Sequence, residues 1–314
     1  MRVLVTGANG FVGRALCPAL IQAGHEVSAA VRTPNAAGIP EGVTVHAIRD
    51  IGPETDWAEA LSGADAVIHL AARAHILKES ISDPTVAFNS VNTEGTAHLA
   101  QAAAKAGIRR FVYLSTVKVM GEHSDAPYRE TDTPRPDGPY GASKLAGERA
   151  LAIAAADTGL ETVILRPPLV YGPGAKSNFL TLLKICHAAP PLPFSTVQNR
   201  RSIIYLGNLV DAICLCLTAD KAAGEIYFVR DEDDLSTPGL IRHVAAALSR
   251  PARLFPAPVG LIRLAGAITG KSAAISILLS DLQIDKEKIH GQLGWTPPFN
   301  VVQGLKETAA WFST

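Results

Sequence analysis

Short apolar runs alternate with stretches of helical periodicity along most of this 314-residue chain. Residues 2–6 form a β-branched apolar run of the kind that makes a fully buried strand, and over 11–23 apolar positions recur at helical spacing until Gly24. Residues 25–31, 42–48, 66–70, 110–115, 162–165 and 226–229 read as further strands. Between them the spacing predicts helices over 55–61, 86–106, 140–158, 178–188 and 206–217, with Gly107 and Gly159 closing two of them. Such alternation predicts an α/β fold, a doubly wound parallel sheet with helices on both faces. After Arg166, proline and glycine break the rhythm in RPPLVYGPG and PPLPFSTVQNRRSIIY, which marks loops leaving the sheet. Residues 1–175 are therefore expected to form the sheet domain, with 202–230 returning to it. Residues 176–201 and 231–314 would build a smaller, mainly C-terminal substrate-binding lobe. The acidic cluster 231–234 reads as a solvated turn before a helix cap at Ser236.

Composition narrows the class. With 47% hydrophobic residues and a mean hydropathy of +0.17, the chain has ample material for a globular core. Lys+Arg and Asp+Glu number 29 each, so there is no basic excess and nucleic acid is not an expected partner. Cys17, Cys186, Cys214 and Cys216 contain no CxxC pair and read as buried free thiols of a cytoplasmic protein. Gly7 interrupts the first apolar run too early for a signal peptide. The most lipid-like region, 257–279, is cut by Arg263 and Lys271 into runs too short to span a bilayer. It reads as buried or oligomer-facing helix, with peripheral membrane contact as the lesser alternative.

Two constellations carry chemistry. Gly7, Gly10 and Gly13 follow the first strand at GxxGxxG spacing and open the first helix near Phe11. A strand, a glycine turn and a helix form the opening unit of a dinucleotide fold, because glycines let backbone approach a pyrophosphate that then sits on helix N-terminal amides. Tyr140 and Lys144 lie four residues apart on a predicted helix and share one face. A tyrosine exchanging protons near neutral pH needs a neighbouring cation to stabilise its phenolate, and Lys144 is placed to supply one. The nine histidines show no metal-ligand spacing; His69 and His75 read as structural, and no metal is expected.

TGANGFVG at 6–13, Asp50-Ile51, HLAA at 69–72, VNTEGT at 91–96, LSTVKVMGE at 114–122, YGASK at 140–144 and RPPLVYGPG at 166–174 together resemble the extended short-chain dehydrogenase/reductases. Within them the chain is similar to the nucleotide-sugar epimerase/dehydratase branch, and NRRSIIYLGNLVDAI and the C-terminal LGWTPPFNVVQGLKETAAWF extend the resemblance over essentially its whole length.

The resemblance implies a role for each matching position. Tyr140 would be the acid/base, Lys144 would hold the nicotinamide ribose and depress the tyrosine pKa, and Thr116 would bond the reacting oxygen. Thr116 is chosen over Ser115 because it lies five residues before Gly121, as the hydroxyl does in the family's (S/T)xxVYG segment; here Met120 replaces the usual tyrosine and Lys118 enters. Gly7, Gly10, Phe11, Val12 and Gly13 would cradle the pyrophosphate, Asp50 and Ile51 would border the adenine, and Leu70, Ala71, Ala72, Asn92 and Pro167 would line the cofactor path. Arg32 stands after the second strand where NAD-specific members place a carboxylate, so NADP(H) is favoured over NAD(H), with Arg14 a second candidate for the 2′-phosphate. Lys118, Asn178 and Arg201 would contact a nucleotide-sugar substrate, Arg201 by its fork on the diphosphate.

These expectations converge on hydride transfer at carbon 4 of a nucleotide-linked sugar. The chain looks like the UDP-4-ketosugar reductases of surface-polysaccharide synthesis, with a UDP-hexose 4-epimerase holding its cofactor as the alternative. A dehydratase is less favoured, because Ser115-Thr116-Val117 supplies no carboxylate. A non-catalytic dinucleotide sensor would have lost the Tyr/Lys pair, and a reductase of apolar ketones would lack Arg201. A homodimer through the helices at 86–106 and 140–158 is what the family implies.

Overall fold

The computed structural model describes residues 1–33, 37–74, 84–156 and 158–314; His75 lies outside them. The elements run β1 (Arg2–Thr6), α1 (Gly13–Gln22), β2 (Glu26–Val31), β3 (Thr44–Ala47), α2 (Ala58–Leu61) and β4 (Ala66–His69). A long helical stretch follows, made of α3 (Pro84–Asn89), a π-helical turn (Ser90–Glu94) and α4 (Gly95–Lys105). Next come β5 (Arg110–Leu114), a 3₁₀ turn (Val117–Val119), α5 (Pro139–Ala156), β6 (Glu161–Arg166), β7 (Leu169–Tyr171) and α6 (Ser177–Ala188). The chain continues through β8 (Ile203–Tyr205), α7 (Leu206–Thr218) and β9 (Ile226–Phe228), then α8 (Thr237–Ala247), α9 (Val259–Ile268), α10 (Ser272–Leu279), α11 (Glu287–Leu293) and α12 (Val301–Phe312).

Seven strands form one parallel sheet in the order β3-β2-β1-β4-β5-β6-β9. The strands are apolar on both faces, and their alternation sorts them into two cores. Val3, Val5, Ile68, Val112, Val163 and Leu165 pack with Leu16, Leu20, Leu209 and Ile213 of α1 and α7. Leu4, Val67, Phe111, Tyr113 and Ile164 pack with Trp57, Leu99, Ala103 and Leu151 on the opposite face. Helix cover on both faces gives the doubly wound architecture. From β1 the chain turns outward to β2 and β3 and then crosses to β4 on the other side, so the switch point lies between β1 and β4, where ligands of such sheets bind.

Several local expectations are corrected by packing. Residues 169–171 and 203–205, read as loop, pair as a second small parallel sheet; runs of three residues are too short to show a period. The predicted helix at 86–106 contains the π-helical turn. The acidic cluster is not a solvated turn throughout, because Asp231 is buried and accepts from the Tyr171 hydroxyl at 2.8 Å, the Tyr205 amide at 2.8 Å and Asn208 Nδ2 at 2.7 Å. Three donors from β7, β8 and α7 replace the water it gives up. The Ser236 cap forms as expected, its hydroxyl accepting the Gly239 amide at 3.1 Å. The 257–279 stretch is two helices rather than one, and α9 buries only Ile262 and Gly266. No helix among the described residues is long and apolar enough to cross a membrane.

Candidate active site

The glycine turn joins β1 to α1 at the switch point. Gly7 has φ of +70°, and a Cβ there would lie 2.8 Å from the Ala71 amide nitrogen; a Cβ on Gly13 would meet the Gly7 carbonyl at 2.4 Å. Both positions admit only glycine, because the turn folds on itself and against the segment after β4. The Gly10 amide closes the turn on the Gly7 carbonyl at 2.9 Å. The amides of Phe11, Val12 and Gly13 donate to no carbonyl among the described residues, as at any helix start, which is the arrangement an anion can occupy. Leu70 and Ala71 border the turn, with the Ala71 amide donating to Thr6 Oγ1 at 3.2 Å, and Ala72 follows them in the chain. This cradle fits a dinucleotide pyrophosphate.

Helix α5 carries Tyr140 and Lys144 one turn apart. Its approach is set by Gly141, where a Cβ would stand 2.4 Å from the Lys118 carbonyl. Lys144 is 1% exposed, and its Nζ lies 4.0 Å from the centroid of the Tyr113 ring. Thr116 caps the 3₁₀ turn after β5, its Oγ1 accepting the Lys118 amide at 3.3 Å. Thr116, Lys118, Tyr140, Asn178 and Arg201 all line one cavity of about 310 Å³, together with Leu169, Leu182, Leu240, Ile277 and Leu278. Five residues chosen from sequence thus come together across four segments.

Electrostatics departs from one expectation. Burial pushes the Tyr140 phenol up to about 12 and the Lys144 ammonium down to about 7, so desolvation outweighs the depression expected from the lysine. The phenol is therefore protonated at neutral pH, ready to donate. Glu148, one turn beyond Lys144, pulls the ammonium back upward. It receives the Ser115 hydroxyl and a bidentate pair from Arg166, while Arg166 Nη1 also points to Met120 Sδ at 3.4 Å. Ser115 is thereby committed away from the cavity that Thr116 lines. Glu148 went unrecognised in the sequence, although its spacing of four from Lys144 places it on the same face.

Other predicted residues have structural partners. Asn92 is buried in the π-helical turn; its Nδ2 donates to the Arg73 carbonyl at 3.0 Å and Ser143 Oγ at 3.0 Å, and its Oδ1 accepts the Arg73 amide at 2.8 Å. It fastens the segment after β4 to α5. Pro167 is buried, and its carbonyl accepts the Val117 amide at 2.9 Å. Arg14 does not project freely toward a phosphate; Nε and Nη2 donate to the Asn9 and Ala37 carbonyls, each at 3.0 Å. Arg32 and Asp50 are exposed, and Ile51 packs partly into the second core. Lys118 is paired with Glu122 at 2.6 Å. Arg201 Nη1 is held by the Ile277 and Ser280 carbonyls at 2.9 and 3.0 Å.

The model of the NAD dependent epimerase/dehydratase family matches residues 3–229. The chain belongs to that family. As a family member it is 37% identical over 314 residues to a UDP-glucose 4-epimerase of Vibrio cholerae, covering 99% of this chain and 95% of the relative. A UDP-glucose 4-epimerase of Thermus thermophilus, solved with NAD, is 26% identical with a TM-score of 0.77 and covers 100% of this chain and 99% of that one. The UDP-glucuronic acid 4-epimerase of Bacillus cereus, also with NAD, shares the fold at a TM-score of 0.80 and 23% identity, covering 100% and 97%. The epimerase/dehydratase assignment makes the chain an NAD-dependent enzyme of the extended short-chain dehydrogenase/reductase type.

Proposed function

We propose that this protein moves a hydride between a nicotinamide cofactor and carbon 4 of a nucleotide-linked sugar, and that it runs as a UDP-4-ketosugar reductase in surface-polysaccharide synthesis. The observation that carries the reading is Tyr140 and Thr116 on the wall of one cavity, with Lys144 buried one turn along the same helix as Tyr140. A dinucleotide held by its pyrophosphate at the glycine turn would supply the hydride from its nicotinamide. Tyr140 donates its proton to the carbonyl oxygen that becomes a hydroxyl, Thr116 hydrogen-bonds that oxygen, and Lys144 stabilises the phenolate left behind. Gly7, Gly10, Phe11, Val12 and Gly13 hold the pyrophosphate, Asp50 and Ile51 border the adenine, and Leu70, Ala71, Ala72 and Pro167 flank the cofactor, with Asn92 bracing that wall.

Cofactor preference in this reading is NADP(H), supported by the exposed Arg32 at the end of β2 and the lack of a carboxylate there. Lys118, Asn178 and Arg201 face the substrate; Arg201 is pre-set by its carbonyl partners rather than freely mobile. A homodimer through α3, α4 and α5 is supported by the exposure of Val86 and Ile153 on those helices, and a cytoplasmic setting by four free cysteines. Residues 176–201 and 231–314 act as the substrate lobe.

The Vibrio cholerae relative favours a second reading, UDP-hexose 4-epimerase with a retained cofactor. Retention of both Tyr140 and Lys144 speaks against a non-catalytic sensor. Incubation of the purified protein with a UDP-4-ketosugar and NADPH tests the proposal by loss of reduced-nicotinamide absorbance. Interconversion of UDP-glucose and UDP-galactose without net cofactor turnover selects the epimerase, and neither activity overturns both.

A further inference from the structure

Helix α9 presents its apolar side outward. Leu261, Leu264 and Ile268 recur at helical spacing and are 59%, 56% and 78% exposed, and Phe255 and Val259 extend the patch. The opposite side is the buried one, Ile262 and Gly266, where Gly266 lets Ile275 of α10 approach. An apolar stripe facing water on a helix with a packed inner side marks a surface that something covers.

Charge says what. Between Asp234 and Asp281 the sequence has no acidic residue, while Arg242, Arg250, Arg253, Arg263 and Lys271 fall inside that span, in a chain whose charges balance only when taken as a whole. All five are exposed, and none is paired with a carboxylate among the described residues. Apolar side chains flanked by arginine and lysine are what an interfacial helix uses to sit among anionic headgroups. We propose that α9 and α10 seat this chain on an anionic lipid surface. A second copy of the chain is a poorer occupant, since a two-fold contact through this face brings together two like-charged surfaces, each with Arg263 and Lys271 and no carboxylate from residues 235–280 to offset them.

Helix α10 links the seat to the chemistry. Its Ala273 and Ala274 are exposed beside α9, and its Ile277 and Leu278 line the cavity that contains Tyr140 and Thr116. Seated this way, the enzyme works with a cavity wall one helix from the bilayer surface.

The test is flotation of the full chain with vesicles of phosphatidylglycerol and phosphatidylcholine in equal parts, against phosphatidylcholine alone. Binding is expected with the anionic vesicles, weakening with added salt. The double substitutions L264E/I268E and R263E/K271E should each reduce it by about tenfold or more with unchanged thermal melting. No binding to anionic vesicles, or binding by L264E/I268E as strong as that of the unaltered chain, overturns the proposal. So does a chain that ignores vesicles but falls from dimer to monomer on sedimentation in L264E/I268E, which assigns the face to a second copy. None of these readouts depends on the reaction catalysed.

Discussion

The Glu148 carboxylate and the Arg166 guanidinium form a bidentate pair, Nε to Oε1 at 3.0 Å and Nη2 to Oε2 at 2.6 Å, with side chains 4% and 3% exposed. The pair ties α5 to β6 directly behind Lys144. Glu148→Gln leaves a buried guanidinium without its counter-charge, which costs about 3–5 kcal/mol in denaturant unfolding. It also removes the group that pulls the Lys144 ammonium upward, so the pH–rate limb belonging to Lys144 should move to lower pH. An unshifted limb in the folded variant would show that the pair is structural only.

Tyr140→Phe removes one oxygen from a half-buried ring that packs edge-on to Phe88 with centroids 6.1 Å apart. Melting should be unchanged and cofactor binding retained, while kcat falls by about 10²–10⁴. Thr116→Val should lose less, and Ser115→Ala should act on stability through Glu148 rather than on the chemical step. Single-turnover kinetics with fluorescence titration of the cofactor separates these outcomes.

Arg32→Ala tests the cofactor reading. Loss of a charge-assisted contact to a 2′-phosphate should raise KM for NADPH by roughly 10- to 100-fold and leave NADH unchanged. Equal effects on both cofactors would make Arg32 a general surface charge.

Gly141→Ala places a methyl where only 2.4 Å separates it from the Lys118 carbonyl. Either α5 or the Thr116 turn must shift, at a cost of about 1–3 kcal/mol. Activity should fall well beyond what the loss of stability explains, because Tyr140 is the preceding residue.

His69 governs acid stability. Its Nδ1 lies 2.6 Å from Thr6 Oγ1 and its Nε2 3.1 Å from Thr96 Oγ1, and burial, reinforced by Lys144, lowers its pKa to about 3. An unfolded histidine takes up a proton near 6.5, so between these values the unfolded chain binds more protons and stability falls as pH falls. At pH 5 the loss from this residue is about 2 kcal/mol. Urea unfolding at pH 5 and 7.5 should show that difference narrowing in His69→Gln.

Local order alone made much of this protein legible. The β-branched runs declare the sheet strands, Gly7, Gly10 and Gly13 declare a tight turn opening a helix, and Tyr140 with Lys144 share a face through helical spacing. Each is a statement about residues within a few positions of one another, which sequence records directly. Tertiary structure decided the rest. Whether Asp231 is solvated depends on Tyr171, Tyr205 and Asn208; whether Arg201 is free depends on carbonyls at Ile277 and Ser280; and how far burial raises the Tyr140 phenol above its ordinary range depends on what covers α5. The outward face of α9 is a further case, since its residues alone read equally well as core. Desolvation and pairing arise from neighbours distant in the chain, so only the assembled fold fixes which charges are buried, which are paired, and which apolar faces remain uncovered.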